Sequence, residues 1–335
     1  MLASFCASCS GDAKAKQTPV WGYAVEGFPI KGERVAELET NTGVAACMVN
    51  FFLQWPAPGK ELQSGNLRSS LRSIWEADAI PVLSWEPMYL KNGEENVIKA
   101  DVIFSGEYDE YIRNVAKIIK EEKYPVLVRF AHEMNLSRYH WGTEEEEYGP
   151  ESPQIYRRMY RYVVEAFRQE GASNALWVFC PNAESVPNPD QEQDAEWNRA
   201  SNYYPGSDWV DIMGMDGYNW GTTRTEPEDG WDSQWKNFRE IFSPLRKELT
   251  KLAPEKPLCV METASVTEGG DRRKWIKDGL HTAIEWELDA VVWFQADKEF
   301  DWRLKPEETA PLADYISHRT DKPLEWIWEM IDEKE

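Results

Sequence analysis

Val126-Leu127-Val128-Arg129-Phe130-Ala131-His132-Glu133-Met134-Asn135 is an apolar run that stops abruptly at polar side chains. The run is too short for a packed helix and is bounded by charge on both sides. It reads as a buried parallel strand whose end carries chemistry. Farther along, Gln154–Glu170 has helical periodicity. Ile155, Met159, Tyr162, Val163, Ala166 and Phe167 fall on one face, and Arg157, Arg161, Glu165 and Arg168 on the other. Strand followed by amphipathic helix is one βα unit.

The same unit recurs outward in both directions. Strand-like runs lie at Val20–Val25, Val44–Leu53, Ile80–Trp85, Val126–Phe130, Ala175–Cys180, Asp211–Gly214, Pro257–Glu262 and Ala290–Phe294. Helical patterns lie at Arg34–Thr40, Leu67–Ala77, Asp109–Glu121, Gln154–Glu170, Ser233–Leu252, Arg272–Glu285 and Pro306–Ser317, with a weak one over Ala195–Ser201. Eight strands alternating with helices predict an α/β fold, a (β/α)8 TIM barrel built as a single domain over residues 18–335. The length of 335 residues suits it. No GxGxxG follows the first strand, which argues against a dinucleotide-binding sheet.

Composition removes several function classes. A net charge of -22 repels a phosphate backbone, so no nucleic acid partner is expected. No apolar run is long enough for a transmembrane segment. Five cysteines at Cys6, Cys9, Cys47, Cys180 and Cys259 form neither a disulfide framework nor a zinc spacing, and the last three sit in apolar runs. Residues 1–17 read as a flexible tail or the remnant of an export signal. Cys6-Ala7-Ser8-Cys9-Ser10-Gly11-Asp12 is compatible with a lipid anchor at Cys9, and with a secreted or cell-surface monomer.

In a barrel of this kind the active site lies at the C-terminal ends of the strands. Trp85, Glu86, His132, Glu133, Asn182, Tyr218, Trp220, Glu262 and Trp293 all follow strand ends, with Trp141 and Trp302 just beyond. Seventeen tryptophans are unusual. Trp75, Trp177, Trp209, Trp275 and Trp286 lie inside helix or strand patterns and read as core. Trp85, Trp141, Trp220, Trp293 and Trp302 read as a rim on which pyranose rings could stack. A strand-terminal glutamate alone is as readily a salt-bridge partner. Two, at Glu133 and Glu262, flanked by polar neighbours on an aromatic rim, fit the paired carboxyls that cleave a glycosidic bond. His132 could orient Glu133 or contact sugar, and Tyr218 could donate its hydroxyl to Glu262.

Three stretches carry a family resemblance. Val128–Asn135 resembles the acid/base motif of glycoside hydrolase family 26. Val210-Asp211-Ile212-Met213-Gly214-Met215-Asp216-Gly217-Tyr218-Asn219 resembles its strand-six motif, and Lys256–Ser265 its nucleophile strand. Order and spacing match as well, over roughly Val20 to Tyr315. The resemblance implies retention of configuration, no cofactor, no metal and a β-linked plant polysaccharide as partner and substrate. It implies Glu133 as acid/base, Glu262 as nucleophile, His132 and Tyr218 in supporting contacts, and Trp293 as the floor under the reacting sugar. Asn135 and Asp216, within the motifs, are taken as further supporting residues.

The sequence departs from the family's mannanases at Leu136-Ser137-Arg138-Tyr139-His140-Trp141, where a glycine and then a tryptophan are usual. It departs again at Phe294-Gln295, where an arginine is often found. The expectation is β-1,4- or mixed-linkage glucan ahead of β-mannan, with xylan third, and internal attack on the polymer. The competing readings are a carbohydrate-binding barrel without catalysis and a metal hydrolase built on His132 and His140. The latter lacks any HxH or HxxxH pair at a strand end.

Overall fold

The computed structural model describes residues 18–310 and 324–334. Its core is a closed barrel of eight parallel strands: β1 (Val20–Val25), β2 (Met48–Gln54), β3 (Ile80–Glu86), β4 (Val126–Phe130), β5 (Ala175–Phe179), β6 (Ile212–Asn219), β7 (Leu258–Ser265) and β8 (Ala290–Phe294). Each strand pairs with its sequence neighbours, and β8 closes the ring on β1. All eight predicted strands are present. Their near-continuous apolar character reflects burial on both faces, by the barrel interior and by the helices.

The boundaries moved where a turn or cap intervenes. β2 begins at Met48 rather than Val44, because the Val44 carbonyl accepts hydrogen bonds from Tyr23 and Thr42 at the base of the preceding helix. The helix expected from Ser233 begins at Phe238, where Asn237 and Glu240 form a reciprocal capping box. The weak helix after β5 is two 3₁₀ turns, Glu196–Asn198 and Ala200–Tyr203. A hairpin after β3, Met88–Lys91 against Glu94–Val97, was not anticipated, nor was the terminal helix Glu325–Asp332. The helix expected over Pro306–Ser317 is present at 306–310, and its remainder lies outside the described residues, as do Cys6 and Cys9. Cys47, Cys180 and Cys259 are buried. Among the described residues no helix is long and apolar enough to cross a membrane.

Strand alternation decides which side chains reach the mouth. On β3, Ser84 points into the barrel, where its hydroxyl donates to Asn50 of β2 at 2.6 Å. Trp85 therefore points out to the helices. It is 0% exposed, it packs against Trp55, Tyr111, Phe130 and Phe167, and its indole N–H bonds the Tyr111 hydroxyl at 2.7 Å. The rim position expected of Trp85 is thus corrected to the core. Trp293 is corrected for the same reason. Its ring stacks on Trp21 and abuts Trp275 of the helix Arg272–Glu285. The inward place at the end of β8 belongs to Phe294, which meets Phe52 and Tyr218 edge-on.

These placements predict that Trp85→Ala costs roughly 3–5 kcal/mol in a urea unfolding titration, as expected for a buried indole. A cost below about 1 kcal/mol would mean that the side chain is not part of the packed layer.

Candidate active site

The site grows from one buried cation. Arg129, fourth residue of β4, has no exposed surface and points into the barrel. Its Nε donates to the Ser84 hydroxyl at 2.7 Å, one terminal nitrogen meets Asp216 of β6 at 2.5 Å, and the other meets a carboxylate oxygen of Glu262 on β7. A buried guanidinium is tolerated only when its charge and donors are matched, and two carboxylates and a hydroxyl do so here. Both carboxylates hold it strongly protonated, well above the ordinary arginine range, against the opposing effect of burial. The second oxygen of Glu262 accepts the Tyr218 hydroxyl at 2.6 Å. Glu262 is thereby fixed at both oxygens, by a cation and by a neutral donor.

Glu133 is positioned differently. The chain leaves β4 through two residues in the left-handed region, Ala131 (φ 47°) and Glu133 (φ 52°). Neither is glycine, so this turn carries backbone strain of about 1–3 kcal/mol per residue. Its effect is to deliver His132 and Glu133 to the mouth in succession. The Glu133 amide is tied to the Cys180 carbonyl at 2.8 Å, and its carboxylate accepts from the Asn182 side chain at 2.5 Å. No cation pairs with it directly among the described residues. Burial, with the nearby Glu262 charge adding, pushes its carboxyl up to about 7.

The other expected site residues divide. Asp216 belongs to the centre as the second partner of Arg129. His132 lines it, with a buried Nδ1 that has no hydrogen-bond partner among the described residues. Burial, reinforced by the positive charges of Arg129, Arg138 and Lys298, keeps its pKa well below the usual histidine value, so the ring is neutral. Asn135 is a brace: its side chain bonds the Asn182 amide and carbonyl and reaches Glu184 and Ser185, locking the loop after β4 to the loop after β5. Trp141 is buried as well, contrary to its expected place on the rim. It donates to the His132 carbonyl at 2.6 Å and lies flat beneath Tyr139, ring centroids 5.0 Å apart. Trp302 is also buried, against Tyr218 and Trp220, with Trp220 half-buried above it.

The sequence reading gave no role to Arg129, Tyr139 or Phe294, nor to Asn182 and Glu86, although it placed the last two at strand ends. Arg129 carried a readable signal, since a charged residue inside an apolar strand must have buried partners. Asn182 followed a strand end in the same way as the residues that were chosen.

His132, Asp216 and Glu262 bring ligand-type atoms within 4.8 Å of one another, the kind of cluster that could hold a metal ion. Arg129 already supplies the positive charge to both carboxylates, so a divalent cation there would face electrostatic repulsion.

The model of Glycosyl hydrolase family 26 matches residues 92–258. Endoglucanase H of Acetivibrio thermocellus is 30% identical over 75% of this chain and 26% of its own length. A mannan endo-1,4-beta-mannosidase of Bacillus subtilis is 28% identical over 45% of this chain and 43% of its own. The chain thus spans about a quarter and under a half of these two relatives. Among solved structures, a Bacillus subtilis mannanase superposes with a TM-score of 0.62 at 16% identity, over 91% of this chain and 86% of that one. A β-mannanase of Bacteroides ovatus gives 0.59 at 18% identity, over 91% and 89%. At these identities the structural likeness speaks for the fold alone. Together with the family match and the ordered motifs around Glu133, Tyr218 and Glu262, these findings establish that the chain belongs to glycosyl hydrolase family 26.

Proposed function

We propose that the protein is a retaining endo-glycoside hydrolase that cleaves a β-linked polysaccharide by double displacement. The observation that carries this reading is the unequal treatment of two carboxyls in one cleft. Glu262 is held by Arg129 at one oxygen and by Tyr218 at the other, which aims it as the attacking group. Glu133 is desolvated and bonded to a neutral amide, which favours its protonated, donating form. A carboxyl held protonated by burial, beside one anchored at both oxygens by a cation and a hydroxyl, supplies the acid and the nucleophile of this chemistry.

In the first step Glu262 attacks the anomeric carbon and Glu133 protonates the departing glycosidic oxygen. The C–O bond breaks, and the glycone is left as an ester on Glu262. In the second step Glu133, now ionised, takes a proton from water, and that water displaces Glu262. Tyr218 and Arg129 receive the negative charge that returns to Glu262 in the second step. Neutral His132, next to Glu133, is placed to contact the sugar.

For the substrate we favour β-1,4- or mixed-linkage glucan over β-mannan, with xylan third. The relative aligned over 75% of the chain is named an endoglucanase, whereas several named mannan endo-1,4-beta-mannosidases align over 45% of it or less. The loop residues Leu136–Trp141 and the pair Phe294-Gln295 also depart from the mannanase pattern. Such polymers lie outside cells, which supports action in secreted or cell-surface form.

Three outcomes test this reading. The first concerns pH. Glu133 titrates at about 7 in the folded chain against an ordinary 4.5. A raised carboxyl pKa favours folding below the ordinary value and loses that advantage as pH rises through the folded value. Glu133→Gln is therefore expected to unfold at the parent's temperature at pH 4 but to be more stable at pH 8, by roughly 2–3 kcal/mol. Parent turnover should decline as pH passes about 7. Equal stabilities at pH 8 would show that the carboxyl is not desolvated. The second is chemical rescue. Glu262→Ala should lose at least roughly a thousandfold in turnover. With azide and an activated aryl β-glycoside it should then yield an α-glycosyl azide, because azide enters from the vacated face. A β-azide would reverse the two roles. The third is a panel of soluble glucan, mannan and xylan read by viscosity and reducing ends. Viscosity of a β-glucan should fall well before reducing sugar accumulates; faster action on mannan would reverse the ranking.

A further inference from the structure

Double displacement uses two carboxyls and Asp216 is taken up by Arg129, but the mouth of this barrel contains a further one. Glu86 ends β3 and, two residues beyond Ser84, shares its inward face. It is 3% exposed. Among the described residues, the single side chain hydrogen-bonded to its carboxylate is that of Gln54, the last residue of β2, which lies directly opposite Glu86 in the strand register. No lysine or arginine pairs with it among the described residues. A buried carboxyl placed for stability is ordinarily matched by a cation or by several donors. Glu86 has one amide and an oxygen left over. Burial pushes its pKa up to about 7, with the Glu262 charge adding to that effect and Arg129 opposing it.

The surroundings are those of a sugar contact. Phe52, two residues before Gln54 on the same inward face, faces His132 with ring centroids 6.1 Å apart, and His132 faces Tyr139 at 5.0 Å. The Glu86 charge also reaches the Tyr139 hydroxyl. A carboxyl and a carboxamide held side by side present adjacent acceptor and donor atoms, which match the neighbouring hydroxyls of a pyranose. Of the charges that Glu86 senses, Arg129 and Glu262 belong to the nucleophile's side of the cleft, and the weaker Glu95 to the hairpin after β3. The leaving group belongs beside Glu133.

We propose that Glu86 and Gln54 form a hydroxyl-binding pair for the glycone sugar, with Glu86 a substrate-binding carboxyl that takes no part in breaking the bond. The proposal rests on the glycosidase reading and adds to it a residue that recognises the substrate. A polar contact that tightens in the transition state lowers kcat/KM when removed, on polymer and on small glycosides alike.

The experiment uses the full chain, with Glu86→Ala and Glu86→Gln, on a soluble polysaccharide and on a dinitrophenyl β-disaccharide glycoside whose leaving group needs no acid. Thermal unfolding of each variant checks folding. Glu86→Ala is expected to lower kcat/KM by about ten- to a hundredfold on both substrates. Glu86→Gln, which keeps the shape and one acceptor, should recover most of that loss. A set of monodeoxy glycones provides a readout that a merely structural residue would not move. At least one hydroxyl deletion should penalise the parent about tenfold and Glu86→Ala hardly at all. Variants within twofold of the parent, or deletions that penalise both proteins equally, overturn the proposal while the glycosidase reading stands. A parent inactive on every glycan overturns both.

Discussion

The site depends on the burial of the Arg129 guanidinium. A cation without solvent contact costs several kcal/mol unless opposite charge and acceptors surround it. Here β3 contributes Ser84, β6 contributes Asp216 and β7 contributes Glu262, while Asn50 of β2 accepts a hydrogen bond from the Ser84 hydroxyl. One side chain of β4 therefore links five strands across the barrel interior. That constraint fixes where Glu262 can be, and so where its second oxygen meets Tyr218. A side chain that makes no bond to the sugar thus sets the geometry of the one proposed to make it.

The two carboxyls then differ because only one of them reaches the cation's donors. Glu133 is turned away from Arg129 by the left-handed turn at Ala131 and Glu133, and meets the amide of Asn182 instead. Asn135 holds Asn182 in place through two hydrogen bonds to its backbone, with two more to Glu184 and Ser185 of the same loop. The asymmetry in hydrogen-bond partners is a consequence of backbone direction. Strain in the turn is offset by that network and by the Cys180 carbonyl, which accepts from the Glu133 amide.

Much of this was legible in the sequence. Buried parallel strands are written as apolar runs, so all eight could be counted, and Glu133, Tyr218 and Glu262 stand where such runs end. What the sequence concealed was parity. Trp85 and Glu86 are adjacent, and both follow the same run, but one faces the helices and the other the mouth. Trp293 and Phe294 pose the same problem at β8. Counting alternate residues from Ser84 resolves the first pair. Irregular register between β6 and β7, at Met215 and Asp216, and between β7 and β8, near Val291 and Trp293, defeats the same count elsewhere. The aromatic rim was misread because a tryptophan near a strand end is as useful in the helix layer as in the cleft. Tyr139 could not have been chosen over Trp141 without knowing that the indole lies underneath.

The central claim is that, of the carboxyls in one cleft, Glu262 alone bonds covalently to the sugar. The most direct measurement is to inactivate the protein with an activated 2-deoxy-2-fluoro β-glycoside, which slows hydrolysis of the glycosyl ester, and to locate the label by peptide mass spectrometry. A single glycosyl group on Glu262 is the predicted result. A label on Glu133 or Glu86 would contradict it.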